Sequence, residues 1–262
     1  MCILKKNRLI NGKLLFFIVF CGFICSMPVR SISAETHFFK KVFGYNGKIP
    51  IRVVKKIDLP RGYHEGVFWD GSLIWVANGK GKKTWCIDPY KGEIVSEKKL
   101  LGSFSEAITS TGDDTLWMTD WQDKKIYHFK LNGDISDLID VIPVDSGNPA
   151  GLVYADNKFY VIVWDRGFGA KYYLLEMDSN GGISRKIRIK GIHEPAHIAW
   201  DGRHFWITSW YNRYVYKIDP NGFKILGAFR SPADDATGIV WDGKSLWLTG
   251  TYADLYQIEI SK

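Results

Sequence analysis

Hydrophobic and polar residues alternate along many short segments of the chain, and these segments are rich in β-branched and aromatic side chains. Alternation with period two is typical of β-strands that bury one face. Asp-Gly and Asn-Gly dipeptides, which favour tight turns, separate many of the segments. The pattern predicts an all-β protein built from short strands and tight turns.

One phrase recurs five times along the chain. It reads GVFWDGSLIWVANG from Gly66, HIAWDGRHFWITSW from His197 and GIVWDGKSLWLTGT from Gly238, with looser copies from Ala107 and Gly151. The five starts are separated by 41, 44, 46 and 41 residues. Repeats of this length that hold four short strands are typical of propeller blades, so the sequence predicts a five-bladed β-propeller.

The last repeat is one strand short, because the chain ends soon after its third strand, at Ile260. The missing strand is predicted upstream, over Ile51 to Leu59, where the sequence IRVVKKIDL has strand composition. As the outer strand of the last blade, this segment would close the ring and leave no open edge between the first and last blades. The predicted propeller therefore covers residues 51–262, and residues 35–50 are predicted to be a surface extension.

Residues 1–34 have the composition of a cleaved secretion signal. They contain five basic residues and no acidic one, and a positive segment from Lys5 to Lys13 precedes an apolar run from Leu14 to Ile24. The small residue Ala34 before Glu35 fits a signal peptidase site. We therefore expect a Sec-type signal peptide, a secreted or periplasmic protein and no lasting membrane anchor. An uncleaved membrane anchor is the alternative.

The formal net charge of +7 belongs mostly to this leader. Without residues 1–34 the chain has 30 basic and 28 acidic residues, a net charge of +2. A nucleic-acid partner would need clustered basic residues in the folded part, so none is expected. After cleavage Cys86 would be the only cysteine, which excludes an intrachain disulfide. We expect a monomer.

The residues that break the repeat are the candidates for function. The aromatic residues that recur in the second strand of each blade are predicted to pack between blades. In a propeller, the loop before the first strand and the loop after the second strand open on one face, around the central channel. These mouth loops hold Tyr63, Glu65, Phe104 and Glu106 before first strands, and Trp121, Trp164 and Trp210 after second strands. Carboxyl groups combined with tryptophans fit a small molecule or a peptide N-terminus as ligand.

The second repeat resembles a known family. Its segments FSEAIT from Phe104, Gly112-Asp113 and Thr119-Asp120-Trp121 are similar to the second blade of the plant and bacterial type glutaminyl cyclases, the glutamine cyclotransferase family. Shorter similarities lie at Tyr63-His64-Glu65-Gly66, at Ser209-Trp210 with Ile218-Asp219-Pro220, and at Thr237-Gly238-Ile239 with Thr249-Gly250. The resemblance implies a five-bladed propeller and a transferase that converts N-terminal glutamine to pyroglutamate with release of ammonia.

The resemblance also implies roles for individual residues. Glu106 matches the catalytic glutamate of the family, and Phe104, Trp121 and Trp210 match its aromatic pocket. Four positions depart from the family: Glu65 stands in place of glutamine, Ala150 in place of a pocket tryptophan, Pro195 near an expected asparagine, and Thr251 in place of a lysine. The retained acid is compatible with a cyclase of changed substrate preference or with a propeller that performs another task.

The chemistry of Glu106 can be stated without the family. Cyclisation requires the neutral α-amine to attack the side-chain amide carbon while a proton reaches the departing ammonia. One carboxyl group can accept the first proton and return it, provided that its pKa is raised towards the working pH. The apolar rings of Phe104 and Trp121 could raise it by desolvation. The alternative is a solvated loop glutamate without a catalytic role.

Two other classes of function remain open. In the first, Trp121, Trp164 and Trp210 stack on a sugar or peptide in a noncatalytic binding propeller. In the second, a metal-dependent, lactonase-like hydrolase uses acidic and histidine residues that could face one channel: His64, Glu65, Glu106, His193, Glu194, His197, Asp234 and Asp235. Their spacing is not diagnostic of a metal site. We therefore predict neither a cofactor nor a catalytic metal, and leave a structural cation in the channel open.

Overall fold

The computed structural model describes residues 47–133, 135–167 and 169–261. The predicted signal peptide lies outside these residues, as does the predicted surface extension up to residue 46. Within the described ranges, no helix is long and apolar enough to cross a membrane.

The described residues form twenty strands in five antiparallel sheets of four strands each, which confirms the five-bladed β-propeller. The first blade holds β2 His64–Trp69, β3 Ile74–Asn78, β4 Lys83–Asp88 and β5 Glu93–Lys99, and the second holds β6 Ser105–Thr109, β7 Thr115–Asp120, β8 Lys125–Asn132 and β9 Ile135–Pro143. The third holds β10 Asn148–Ala155, β11 Lys158–Asp165, β12 Lys171–Met177 and β13 Ile183–Arg188, and the fourth holds β14 Pro195–Trp200, β15 Phe205–Ser209, β16 Tyr214–Ile218 and β17 Ile225–Arg230. The fifth holds β18 Ala236–Trp241, β19 Leu246–Gly250, β20 Leu255–Ile260 and the N-terminal strand β1 Ile51–Ile57.

The N-terminal strand closes the ring as predicted. β1 pairs antiparallel with β20, with Ile51 opposite Ile260 and Ile57 opposite Leu255. The strand ends at Ile57 rather than Leu59, and the Leu59 N–H instead donates to the Asp254 carboxylate at 3.2 Å. Pro60 follows, and the residue before a proline is restricted in its backbone conformation, so the chain turns towards the first blade here.

The recurring Trp-Asp-Gly phrase has a structural explanation. The aspartate of each turn accepts backbone N–H groups within the turn and also the indole N–H of the tryptophan five residues later. The indole bonds join Trp75 to Asp70 at 2.7 Å, Trp206 to Asp201 at 2.7 Å and Trp247 to Asp242 at 2.6 Å. Each bond fixes the first hairpin of its blade, and the rings of Trp206 and Trp247 are buried between blades.

Each innermost strand carries a β-bulge at the same place, near its start. The register shifts between His64 and Val67, Ser105 and Ala107, Pro149 and Leu152, Pro195 and Ile198, and Ala236 and Gly238. A bulge interrupts the ladder and redirects a side chain. Threonine hydroxyls from neighbouring blades donate hydrogen bonds to some of the carbonyl groups that the bulges leave unpaired: Thr119 to Ala150 at 2.5 Å, and Thr237 to His64 at 2.9 Å. The bulges therefore turn one residue per blade towards the channel while the blades stay linked.

Candidate functional site

A cavity of about 340 Å³ lies at the mouth of the channel. All seven residues that the sequence placed there line it: Tyr63, Glu65, Phe104, Glu106, Trp121, Trp164 and Trp210. Ala150, a departure from the family, also lines the cavity and leaves it space that a larger side chain would fill. Sequence reasoning missed Gln122 and Arg166, which come from the loops after second strands. Arg166 lies with its guanidinium 5.8 Å from the centre of the Trp121 ring.

Glu65 and Glu106 form a pair of carboxyl groups at the base of this cavity. They belong to adjacent blades and reach each other because both sit on the bulges of β2 and β6. The two side chains are hydrogen-bonded to one another. Glu65 is only 5% exposed. Because two ionised carboxylates cannot donate to each other, this contact requires that at least one of them keeps its proton.

Burial controls the acidity of this pair. It raises the pKa of Glu106 to about 8, while the hydrogen bond from Glu65 opposes this rise and the charge of Asp120 adds to it. Burial and then the charge of Glu106 raise the pKa of Glu65 well above its usual range, and Lys80 partly counteracts them. A carboxyl group with a pKa near neutrality can both accept and return a proton at physiological pH.

Asp120 holds the loop that leads to Glu106. Its buried carboxylate accepts the backbone N–H groups of Ser103 at 2.6 Å, Phe104 at 2.7 Å and Asp123 at 2.8 Å. The carboxylate packs against Gly102, whose φ of 75° and lack of a side chain allow this contact. Asp120 therefore joins the two mouth loops of the second blade and positions the Phe104 ring.

In two other blades the equivalent residue also ties the loop after the second strand to the loop before the first. Asn78 accepts the Tyr63 backbone N–H at 3.3 Å, and the Ser209 hydroxyl donates to the His193 carbonyl at 2.6 Å. Sequence reasoning missed these ties. The polar residue directly before the mouth position in three of the five repeats, Asn78, Asp120 and Ser209, is the signal that could have predicted them.

Three tryptophans line the side of the cavity formed by the second to fourth blades. Trp121 and Trp164 meet edge to face, with ring centres 5.1 Å apart. The Trp164 indole donates to the Pro195 carbonyl at 2.7 Å, and the Trp210 indole donates to the Thr251 hydroxyl at 3.1 Å. Pro195 and Thr251, two departures from the family, thus orient the indoles of the neighbouring blades. Aromatic surface with fixed polar edges suits a small, partly apolar ligand.

The channel narrows at the residue that follows the mouth position on each innermost strand. This residue is His197 in the fourth blade, and it is glycine or alanine in the other blades. The histidine is 3% exposed, and a Cβ added to Gly66 would lie 3.0 Å from its Nε2. Burial lowers the pKa of His197 to about 4, so the ring is neutral at physiological pH. His197 also borders a second cavity of about 200 Å³ further down the channel. Its ring therefore separates the two cavities.

The candidate metal ligands do not come together. Glu65 and Glu106 are the only two of the eight that line the mouth cavity. The His64 ring nitrogens lie 2.8 and 2.9 Å from the carbonyl oxygens of Ala253 and Pro60, and Asp234 pairs with Arg213. Among residues 47–133, 135–167 and 169–261, no group of three or more His, Cys, Asp or Glu side chains could hold a metal ion. No described cluster therefore favours the metal-dependent hydrolase.

No protein-family model and no curated protein sequence matches this chain. Among solved structures, the chain is similar to glutaminyl cyclase of Myxococcus xanthus, with a TM-score of 0.66, 15% identity, and 82% of this chain and 100% of that chain covered. It is also similar to the PQQ-bound aldose sugar dehydrogenase of Streptomyces coelicolor, with a TM-score of 0.58, 13% identity, and 83% and 100% covered. A chain of a nidogen/laminin complex gives a TM-score of 0.54 at 15% identity, with 79% and 88% covered. Identities this low show a shared fold alone, so function has to be argued from the site.

Proposed function

We propose that this protein is an exported glutaminyl-peptide cyclotransferase, which converts N-terminal glutamine to pyroglutamate and releases ammonia. The observation that carries the proposal is the hydrogen-bonded pair of Glu65 and Glu106 at the base of an aromatic cavity. The residue matches at Phe104, Glu106 and Trp121 support it, as does the likeness in fold to a glutaminyl cyclase.

The reaction needs one proton to move twice. The α-amine nitrogen bonds to the side-chain amide carbon, and the bond from that carbon to the amide nitrogen breaks. Glu106, in its ionised form, accepts a proton from the attacking amine and then delivers it to the departing nitrogen, which leaves as ammonia. Protonated Glu65 donates a hydrogen bond to Glu106 and keeps its carboxylate oriented. Both carboxyl groups return to their starting protonation states.

The cavity also serves to bind the substrate. The rings of Phe104, Trp121, Trp164 and Trp210 pack on the methylene groups of the glutamine side chain and exclude water around it. Exclusion of water favours attack by the amine over hydrolysis of the amide. Its volume of about 340 Å³ suits one terminal residue rather than a folded partner.

Release of ammonia from a peptide that begins with glutamine tests the proposal directly. We expect one ammonia per peptide, a product lighter by the mass of ammonia, and the same rate with a chelator present. The same peptide with an acetylated N-terminus is the control, because it lacks the attacking amine and is expected to release nothing. Binding without turnover would overturn the proposal in favour of the noncatalytic propeller, and chelator-sensitive hydrolysis would favour the metal-dependent one.

The rate is expected to rise with pH up to about pH 8. Protonated Glu106 cannot accept a proton, and its pKa of about 8 means that the ionised form increases as the pH rises. The attacking α-amine, with an ordinary pKa of about 7.7 to 8.0, must also be neutral. Measured kcat/KM is therefore expected to increase at least about tenfold per pH unit between pH 5 and 7. A profile that is flat or falling over this range would contradict the role of Glu106.

A further inference from the structure

A third cavity opens on the same face as the mouth cavity, beside the carboxyl pair. It has a volume of about 680 Å³ and is lined by residues 59–64, by Asn78, Lys80 and Gly81, and by Tyr252. We call it the side groove. Tyr63 lines both the side groove and the cavity that contains Glu65 and Glu106, so the two spaces adjoin.

The loops that form the side groove are held in place by one backbone hydrogen bond and by the Asn78 side chain. The Gly79 N–H donates to the Tyr63 carbonyl at 2.9 Å, while the Asn78 side chain accepts the N–H groups of Tyr63 at 3.3 Å and Gly81 at 3.0 Å. Gly62 is needed for this approach, because a Cβ there would lie 2.6 Å from the Trp85 ring. The groove is therefore formed before any ligand binds, which lowers the entropy cost of binding.

A row of aromatic rings leads from the side groove to the carboxyl pair. Tyr252, which is 73% exposed, meets Tyr63 at a centre-to-centre distance of 5.4 Å, and Tyr63 meets Phe104 at 5.5 Å. The tryptophans stand on the other side of the cavity, and the equivalent positions beside the groove are Gly79 and Thr251. A peptide whose first residue lies in the mouth cavity can therefore extend across the Tyr63 ring into the side groove.

The side groove carries two exposed positive charges. Arg61 and Lys80 are exposed, and neither forms an ion pair with any residue that the structure describes. The Lys80 ammonium lies 4.2 Å from the centre of the Tyr63 ring. Two nearby carboxylates, Asp58 and Asp254, pair with Lys56 at 3.2 and 2.6 Å. The buried Glu65 carboxyl group interacts with the charge of Lys80 but forms no ion pair with it within the described residues. The groove therefore attracts negative charge.

We propose that the side groove binds the residues that follow the N-terminal glutamine of a peptide substrate, and that Arg61 and Lys80 make it prefer acidic side chains there. The inference rests on the proposed function, since the first residue has to occupy the cavity. An extended chain advances about 3.3 to 3.6 Å per residue, so the second and third residues are those that reach the groove.

The test compares Gln-Glu-Glu, Gln-Ala-Ala and Gln-Lys-Lys peptides of equal length. At low salt, we expect KM for the Gln-Glu-Glu peptide to be about tenfold lower than for the Gln-Lys-Lys peptide, with kcat little changed. The reason is that the two glutamates can form exposed ion pairs with Arg61 and Lys80, and the two lysines cannot. In the double variant Arg61→Ala, Lys80→Ala, the ratio of the two KM values is expected to approach one. Lys244→Ala is the matched control: it removes an exposed positive charge from the β18–β19 turn, at the opposite end of the channel, and should keep the ratio.

Equal KM values, or a preference for the basic peptide, would overturn the inference. So would an acidic preference that survives in the double variant, or one that Arg166→Ala alone removes, because the preference would then originate elsewhere. If no peptide releases ammonia, the proposed function fails. Binding of the same peptides, followed by tryptophan fluorescence, then decides the groove: tighter binding of the acidic peptide supports it, and equal binding contradicts it.

Discussion

Replacement of Glu106 by glutamine is expected to lower turnover by about two to four orders of magnitude, the range typical of a general acid-base group. Glutamine keeps the shape of the side chain but cannot carry the proton from the amine to the leaving nitrogen. The loss should therefore appear in kcat rather than in KM alone. Steady-state rates of ammonia release, measured for the purified variant and the parent protein, give both parameters.

The same variant should fold as well as the parent. Because the pKa of Glu106 is higher in the folded state than in the unfolded state, the fold loses stability as the pH rises from the unfolded pKa towards about 8. An uncharged glutamine at this position therefore does not destabilise the fold at neutral pH. Glu65→Gln is the matched control, because an amide in that place can still donate to Glu106, and we expect turnover within about tenfold of the parent. Normal cyclisation by the Glu106→Gln variant would contradict the role of Glu106 as the group that transfers the proton. Unfolding of that variant would mark Glu106 as a structural residue.

Removal of β1 is expected to cause the largest loss of stability. A chain that begins at Pro60 lacks the strand that pairs with β20 and lacks Ile57, which is 4% exposed and packs with Val67 and Trp247. Burial of Ile57 alone is worth about 1.5 to 3 kcal/mol, and the ladder hydrogen bonds add to this. The exposed edge of β20 also invites pairing between chains. We expect a lower Tm and oligomers in size-exclusion chromatography.

The control for this deletion is a chain that begins at Gly47. It keeps β1, and it keeps the Ile49 N–H that donates to the Ala228 carbonyl at 2.8 Å. This chain is expected to melt like the full-length protein and to elute as a monomer. If the chain from Pro60 matched it in both measurements, β1 would be dispensable and the closure of the ring would rest on other contacts, such as the bond from Thr237 to His64.

The fold could be predicted from the sequence because its signal is local and repeated. Alternation predicts strands, the spacing of the repeats predicts blades, and an incomplete last repeat predicts the role of β1. The bulges could not be predicted, since they depend on how each innermost strand meets its neighbours around the channel. For the same reason the contact between Glu65 and Glu106 was missed: the two residues are 41 positions apart, and only the bulges aim them at each other.

The candidate site shows the same division between local and nonlocal information. Position in the repeat was enough to place seven side chains at one mouth. It was not enough to separate residues that face the cavity from residues that hold the backbone. His64 directly follows the mouth residue Tyr63, and Asp120 directly precedes the mouth residue Trp121. Yet His64 contacts the carbonyl oxygens of Pro60 and Ala253, and Asp120 accepts three backbone N–H groups. Such roles depend on which unpaired backbone groups a loop leaves nearby.

His197 changes how molecules can travel through the ring. A propeller channel that is lined by small residues at its narrowest point is open at both ends. Here the imidazole of His197 extends from the fourth blade towards Gly66 and blocks the channel below the mouth cavity. Whatever settles against the carboxyl pair has no exit beneath it. An incoming molecule and a departing one must use the same opening and pass the same aromatic rings. A molecule that still occupies the mouth cavity therefore delays the entry of the next.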